Sequence, residues 1–440
     1  MAHVDVLVVG SGLAGLTAAR DLKDQGRSVL LLEARDRIGG RTYTRPFAGH
    51  EDLTIEAGGA YLNLRGERNL RREIERYGIE VRSPEGRVEQ GRFVVGGRLS
   101  CGLPVPLDQL GAIERTMVRL TQDVGRLSAT IPLTEQPVAD LDISVSEYID
   151  RLGLPPEAHD FVTGAIAGWI QCDPGRTSIL QILTSVLSCG GSPVDTFFGT
   201  FGETFAHGVR DLLEAMVAGS GIDVRLGSHV VQVTQEDSQV RLTTQAAEEH
   251  TAAACVVAVP AWTLGAVEFS PPLDADKRQI LQQEHHVRGV KKILLVEGAP
   301  RGVFGVGGRS ARAQWLMEDR VLPDGRAVLV AFCIDPSLAS NDLATAQAIV
   351  EEFVPEATVL AVDGEDWYGD PLTRGIVGFC PTGQAQAFAE VMARPQGRVA
   401  FAGAELTTAP TFWGWMEGAV ESGHAAAQQV AGLLVGSGRE

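Results

Sequence analysis

The sequence predicts an α/β fold, mixed α+β in detail, in which one domain built on a strand–helix–strand unit is interleaved with a second domain of mixed sheet plus helices. Three observations carry this. Residues 4–33 read as strand, glycine turn, helix and strand. Runs of the same kind return near 207–260 and 398–434. The stretches between them differ, being mainly helical over 105–185 and strand-rich over 290–335. The domains are accordingly drawn as 1–80, 207–288 and 395–440 against 81–206 and 289–394.

Each element follows from its pattern. Val4-Asp5-Val6-Leu7-Val8-Val9 is short, mostly apolar and followed by glycine, as expected of a parallel strand buried on both faces. Apolar residues at 13, 16, 18, 19 and 22 have helical spacing, and Gly26 ends that helix. Residues 28–32 form a second apolar run ending at Glu33. The unit therefore closes as β-α-β with a right-handed crossover. Residues 209–218 read as helix, and 222–226, 229–233 and 240–244 as strands separated by Gly, Ser and Asp. Another buried strand, 254–259, is closed by Pro260. The helical pattern of 105–185 breaks at Pro132, Pro155-Pro156 and Pro174. Strands are expected at 292–297, 314–318 and 327–333, a helix at 343–354, and a strand at 398–402 before a glycine-rich turn and a helix over 415–434.

Composition bounds the function. With 440 residues, 44% of them apolar, the chain can bury a sizeable core, and overall disorder is excluded. The net charge is −18, so nucleic acid is not an expected partner, because phosphates need a basic footprint. Six cysteines, at 101, 172, 189, 255, 333 and 380, include no C-x-x-C and no histidine at zinc-ligand spacing. Reduced, mostly buried thiols are expected, and no metal site. The N-terminus lacks the features of a signal peptide. No run reaches ~18 apolar residues, and the tail after Gly423, ending in Gly-Ser-Gly-Arg-Glu, does not read as an anchor. A cytoplasmic protein with no membrane partner is expected. Lysine occurs only at 23, 277, 291 and 292, so two adjacent lysines inside an apolar segment call for an explanation.

Gly10-Ser11-Gly12-Leu13-Ala14-Gly15 matches G-x-G-x-x-G between a strand and a helix, with Glu33 beyond it. Gly10 allows a tight turn, Gly12 lets backbone approach a pyrophosphate, and Gly15 allows close helix–strand packing. The helix start offers free N–H groups and its positive end. Glu33 can accept from ribose hydroxyls. This is the Rossmann-type signature of a dinucleotide site. The Gly39-Gly40-Arg41-Thr42 that follows Glu33-Ala34-Arg35 suggests further backbone beside an extended cofactor, with Arg35 or Arg41 neutralising its pyrophosphate. No second such glycine motif follows a strand, so electrons are expected to come from the substrate and not from a separate NADPH site.

These residues resemble the FAD-dependent amine oxidase family of the monoamine oxidase type. The resemblance runs through Leu16-Thr17-Ala18-Ala19, Leu32-Glu33-Ala34-Arg35, Glu56-Ala57-Gly58-Gly59-Ala60-Tyr61, Ala258-Val259-Pro260, Phe401-Ala402-Gly403-Ala404-Glu405 and Gly414-Trp415-Met416-Glu417-Gly418-Ala419. It implies FAD as cofactor, in a domain of the glutathione-reductase kind. It also implies FAD contacts at Leu13, Ala14, Gly58, Gly59, Ala60, Val230, Trp367, Gly403, Glu405, Trp415, Met416 and Ala419. It places a lysine near the flavin N5 on the segment Lys291-Lys292. Strand alternation lets only one of the two face the flavin, and the family pattern favours Lys291.

Trp415 falls where the resemblance places one wall of an aromatic cage, and Tyr61 on the substrate side. The opposite wall falls on Ile376, which leaves the cage half aliphatic unless Phe379 substitutes. Gly375 stands where membrane-bound relatives attach FAD through a cysteine, so non-covalent FAD is expected. Trp169, Phe197, Phe198, Phe201, Trp315 and Phe332 are read mostly as core, with about a third of them lining a pocket.

The implied reaction is hydride transfer from the carbon beside an amine nitrogen to flavin N5. It gives an imine, then aldehyde or ketone plus amine or ammonia, with oxygen as acceptor and hydrogen peroxide as product. An L-amino acid oxidase carries Met-Arg where this chain has Ala60-Tyr61, and a flavin desaturase matches the C-terminal motif poorly. A flavoprotein that holds FAD without turnover is the non-enzyme alternative. His285-His286 is read as a solvated or linker pair. No G-x-S-x-G elbow supports hydrolase chemistry. A homodimer is left open.

Overall fold

The computed structural model describes residues 4–83, 88–283, 285–409 and 412–436, so the end of the C-terminal tail lies outside the described residues. The first sheet is centred on Val4–Val9, which pairs in parallel with Val29–Leu32 on one side and Glu249–Val257 on the other. Its sequence explains that position. Leu7 and Val8 are fully buried and lie on opposite faces. Asp223–Arg225 extends the sheet beyond Val29–Leu32. Val240–Thr244 and Val230–Gln235 continue it in antiparallel fashion, and Val399–Phe401 also pairs with Glu249–Val257.

Helix Leu13–Asp24 follows the glycine turn and packs on the C-terminal helix Met416–Gly436. The approach is close because Gly423 carries no side chain: a Cβ there would lie 2.5 Å from the Ala14 carbonyl oxygen.

The second sheet runs Thr358–Asp363, Val290–Glu297, Ala327–Cys333, Trp315–Val321, Val303–Gly307, Gln90–Val95 and Arg98–Ser100. It is antiparallel except where Val303–Gly307 meets Gln90–Val95. Helix Pro156–Ile170 lies directly on it. Gly164 and Gly168, one turn apart, permit this, since added Cβ atoms would come within 2.1 Å of the Gly307 carbonyl oxygen and 1.9 Å of the Trp315 ring.

The elements expected from pattern are present, with ends shifted by a few residues. The hairpin Thr44–Phe47/His50–Glu56, the helix Arg68–Tyr77 and the strands at 90–95, 303–307 and 358–363 are additional. The helix escaped notice because Leu70 and Ile74 are its only buried apolar residues among many charges. In Val303–Gly307, Gly305 and Gly307 mask the strand signal because they make room for Phe353 and for the Ala313 carbonyl.

The reading of His285-His286 as a solvated pair is corrected. Both are buried, at 4% and 3% exposure. The His285 ring stacks on Trp262 with centroids 4.7 Å apart, and its Nδ1–H donates to the Arg374 carbonyl at 2.7 Å.

Candidate active site

A long cavity runs from the N-terminal glycine turn, across the edge of the first sheet, to the inner face of the second. At its first end, Gly10 has φ +97°, and a Cβ there would lie 2.6 Å from the Ala258 carbonyl oxygen. Gly15 serves packing: its Cβ would lie 1.9 Å from the Gly10 carbonyl oxygen. Gly12 is different. A Cβ there meets nothing closer than 3.9 Å, so its bare backbone, at the start of Leu13–Asp24, faces the cavity.

Glu33, at the end of Val29–Leu32, is held by three donors. Its Oε2 accepts from the Ser11 amide at 2.8 Å and the Ser11 hydroxyl at 2.7 Å, and Oε1 accepts from the Arg35 amide at 2.9 Å. Arg35 is paired with Asp370 and Arg41 with Glu405, so both cations are fixed where they line the cavity. A negative, extended, glycine-seeking ligand fits such a wall.

Of the expected cofactor contacts, Gly10, Gly12, Leu13, Ala14, Glu33, Ala34, Arg35, Gly39, Gly40, Arg41 and Thr42 line the first part of the cavity. Gly58, Gly59, Ala60, Val230, Gly403, Trp415, Met416 and Ala419 line the same cavity. Three do not line it. Gly15 lies under the turn. Trp367 stands behind the Gly58 backbone and donates to the Ala57 carbonyl at 3.1 Å. Glu405 stands behind Arg41.

At the far end the two lysines separate as strand alternation requires. Lys292 turns away, donating to the carbonyls of Ala339 and Ser340 and to Asn341 Oδ1. Lys291 lines the cavity. Its Nζ donates to the carbonyls of Glu56 at 2.7 Å and Gly58 at 2.8 Å and lies 5.3 Å from the Tyr61 ring centre. Burial lowers its pKa to about 8, against the attraction of Glu56 and Asp319.

Tyr61 meets Phe201 and Phe332 edge-on, with centroids 5.2 and 6.2 Å apart. Trp415 lines the cavity, and so does Ile376. Phe379 is not a second wall: it is buried behind Trp169, 6.0 Å away, outside the cavity. Trp169, Phe201 and Phe332 all line the cavity, half of the aromatic set and more than expected.

Gln171 was not anticipated. It follows helix Pro156–Ile170 with φ +53°, and its buried Oε1 has no partner among the described residues. The indole Nε1 of Trp415 is likewise buried and unpartnered. Both residues line the cavity, so one acceptor and one donor there await a ligand. Sequence offered a signal only for Trp415, because a lone glutamine at a helix end has no distinctive pattern. Among the described lining residues Glu33 is the sole carboxylate, and it sits at the opposite end from Lys291.

The family model described as flavin-containing amine oxidoreductase matches residues 13–431. (S)-6-Hydroxynicotine oxidase of Paenarthrobacter nicotinovorans is 30% identical over 97% of this chain and 99% of its own. Pseudooxynicotine dehydrogenase of a Pseudomonas species is 30% identical over 98% and 87%. The solved structure of cyclohexylamine oxidase from Brevibacterium oxydans IH-35A superposes with a TM-score of 0.84 at 23% identity, covering 99% of this chain and 100% of that one.

Proposed function

The chain belongs to the flavin-containing amine oxidoreductases, and from that membership we propose that it binds FAD non-covalently and oxidises an uncharged, ring-bearing monoamine, with oxygen as acceptor and hydrogen peroxide as product. One observation carries the reading: Lys291 and Trp415 face the same end of a cavity whose other end is the Gly10–Glu33 turn. In it, 1–80, 207–288 and 395–440 hold the cofactor, and 81–206 with 289–394 shape the substrate end.

When bound, FAD supplies a hydride acceptor for the carbon beside the amine nitrogen. The chain's own residues do the rest. Glu33 offers a carboxylate to ribose hydroxyls, and the backbone at Gly12 with Arg41 meets the pyrophosphate. Gly58 and Gly59 let the chain pass close beside the ring. Trp415 and Trp169 orient the amine, and its nitrogen can accept from the Trp415 N–H.

The amine is uncharged when it reacts. A cationic amine near Lys291 would be repelled, and no carboxylate lines that end among the described residues to hold it. A diamine would leave a second ammonium unpaired there. An amino acid would need a free cation for its carboxylate at the amine end, yet Lys291 there is bound to two carbonyls. The relatives named for hydroxynicotine and pseudooxynicotine support a ring-bearing substrate.

Non-covalent binding is supported at Gly375, which offers no thiol. The cysteine nearest to it in sequence, Cys380, is buried outside the cavity. A cytoplasmic location is supported by six free thiols. No helix among the described residues is long and apolar enough to cross a membrane.

The test is anaerobic titration of the purified yellow protein with primary, secondary and aryl-alkyl amines. Bleaching of the flavin by a ring-bearing monoamine, but not by a diamine or an amino acid, is expected. Flavin that no amine bleaches would refute the proposal.

A further inference from the structure

Behind Lys291 lies a second cavity, of about 330 Å³, room for several waters at the roughly 30 Å³ each occupies in the liquid. Lys291 and Tyr61 line both cavities and so form the wall between them. The two spaces differ in chemistry. The amine end of the first is aromatic and aliphatic. The second is lined by Glu56, Asp319, Arg320, Arg82, His207 and Arg210, polar groups that hold water.

Glu56 is placed in an unusual way. Its backbone carbonyl accepts from Lys291 Nζ, and the residue also belongs to the lining of the second cavity. One carboxyl oxygen is anchored, accepting from Thr44 Oγ1 at 2.7 Å and the Val209 amide at 3.3 Å. The other, Oε2, is buried and has no partner among the described residues. Anchoring of one oxygen fixes the position of the carboxyl, from which its charge attracts the Lys291 ammonium.

We propose that this second cavity is the proton route to the reaction centre, separate from the amine's cavity, with Glu56 as the positioning residue that keeps Lys291 protonated from the solvent side. The inference rests on the amine oxidase reading above. The balance requires such a route. Oxidation of a neutral amine to an iminium ion removes one hydride. Dioxygen needs two electrons and two protons to become hydrogen peroxide. The hydride carries both electrons and one proton, so one more proton must arrive in each turnover.

Lys291 ammonium is the donor at the site. An N–H bond breaks there and an O–H bond forms on the reduced oxygen. The amine left behind takes a proton from solvent through water in the second cavity, and the Glu56 carboxylate favours the ammonium that results. Burial raises Glu56 to about 6 and lowers Lys291 to about 8, so the pair brackets neutral pH. Asp319 adds to the attraction on Lys291. Arg82, Arg210, Arg320 and His207 also line the cavity.

The scarcity of lysine makes the test direct. Holoenzyme labelled with 13C at the lysine ε-carbon gives four signals, and Lys291 is assigned by its loss in Lys291→Met. In Glu56→Gln the Lys291 midpoint should fall by about half a pH unit or more, a threefold change in acidity, because a neutral amide no longer attracts the ammonium. Glu56→Asp should restore most of it. In stopped flow, Glu56→Gln should slow the oxygen step at least about tenfold more than the anaerobic amine step, with the deficit growing as pH rises.

An unchanged midpoint in folded Glu56→Gln overturns the proposal, as does equal slowing of both steps. If Glu56→Gln does not fold, Ala206→Phe fills the same cavity without touching the carboxyl. It should slow the oxygen step selectively, and no selective effect overturns the proposal. A protein whose flavin no amine reduces fails the functional reading instead, since the lysine titration needs no turnover.

Discussion

The indole of Trp415 packs on that of Trp169 with ring centroids 5.2 Å apart and planes tilted by 38°. Trp169 is in turn held edge-on by Phe197 at 5.5 Å. The orientation of the cavity-facing ring is therefore set by a buried stack. Ile376 lines the same cavity, and in the proposed reading it is the aliphatic wall opposite the aromatic one.

Trp415→Ala should then raise the amine KM by tenfold or more, about 1.4 kcal/mol, the upper part of the range for aromatic contacts. Trp415→Phe should recover part of the loss, since it keeps the ring and loses only the N–H donor. Trp169→Ala should act on stability as well, costing about 3–5 kcal/mol through the cavity it opens. Steady-state kinetics beside urea unfolding separates the two effects. Equal KM values for Trp415→Ala and the parent protein would remove Trp415 from the substrate wall.

Lys291 should control the oxygen step through its charge. With its pKa lowered to about 8 by burial, it is an ammonium below that pH and neutral above it. The rate of reaction with oxygen should therefore fall as pH rises through about 8. Lys291→Met should be slower by on the order of a hundredfold, as for other single groups that stabilise developing anionic charge, and its profile should be flat there. Stopped-flow mixing of the reduced protein with oxygen reads both. A profile that still bends near 8 in Lys291→Met assigns the titration to another group.

The flavin should come away from the protein on acid precipitation, leaving a colourless pellet. The reason extends beyond the missing thiol. A Cβ at Gly375 would lie 2.3 Å from both Nδ1 and Cε1 of His285, so the imidazole fills the space a side chain there would need. Gly375→Cys should therefore lower the unfolding midpoint without producing a yellow pellet. A covalently coloured Gly375→Cys protein of parental stability would show that His285 yields easily.

Much of this site could be read along the chain because its chemistry is local. The Gly10–Gly15 turn and Glu33 follow from backbone geometry within a few residues, as does the rule that only one of Lys291 and Lys292 faces the cavity, the choice of Lys291 coming from the family pattern. Trp169 and Gln171 do not. Helix Pro156–Ile170 is buried on nearly every side, so no amphipathic stripe distinguishes a cavity-facing residue from core. Glu56 gains meaning only when the strands His50–Glu56 and Val290–Glu297 bring its backbone carbonyl onto Nζ of Lys291, 235 residues away in sequence. His285 misled for the opposite reason. Adjacent histidines read as polar surface, and only the tertiary stack on Trp262 hides them.

That buried pair should make the fold sensitive to acid. His285 uses its Nδ1–H on the Arg374 carbonyl, and its Nε2 is buried without a partner among the described residues. His286 pairs its Nε2 with Thr177 Oγ1 at 3.0 Å, and its Nδ1 is the unpartnered atom. A second proton on either ring would be a buried charge with no acceptor, and burial lowers both pKa values from 6.5 to about 3. The unfolded chain binds these protons near pH 6.5 while the folded one resists them. Stability is therefore complete above about 6.5 and is lost as pH falls toward 3, by up to about 1.4 kcal/mol per pH unit for each histidine. Urea unfolding at pH 7.5 and pH 5 should show the decline. His285→Phe keeps a ring against Trp262 and removes one titrating group, so its stability, whatever its starting value, should depend less steeply on pH. The same slope in that variant would mean that other groups carry the acid sensitivity.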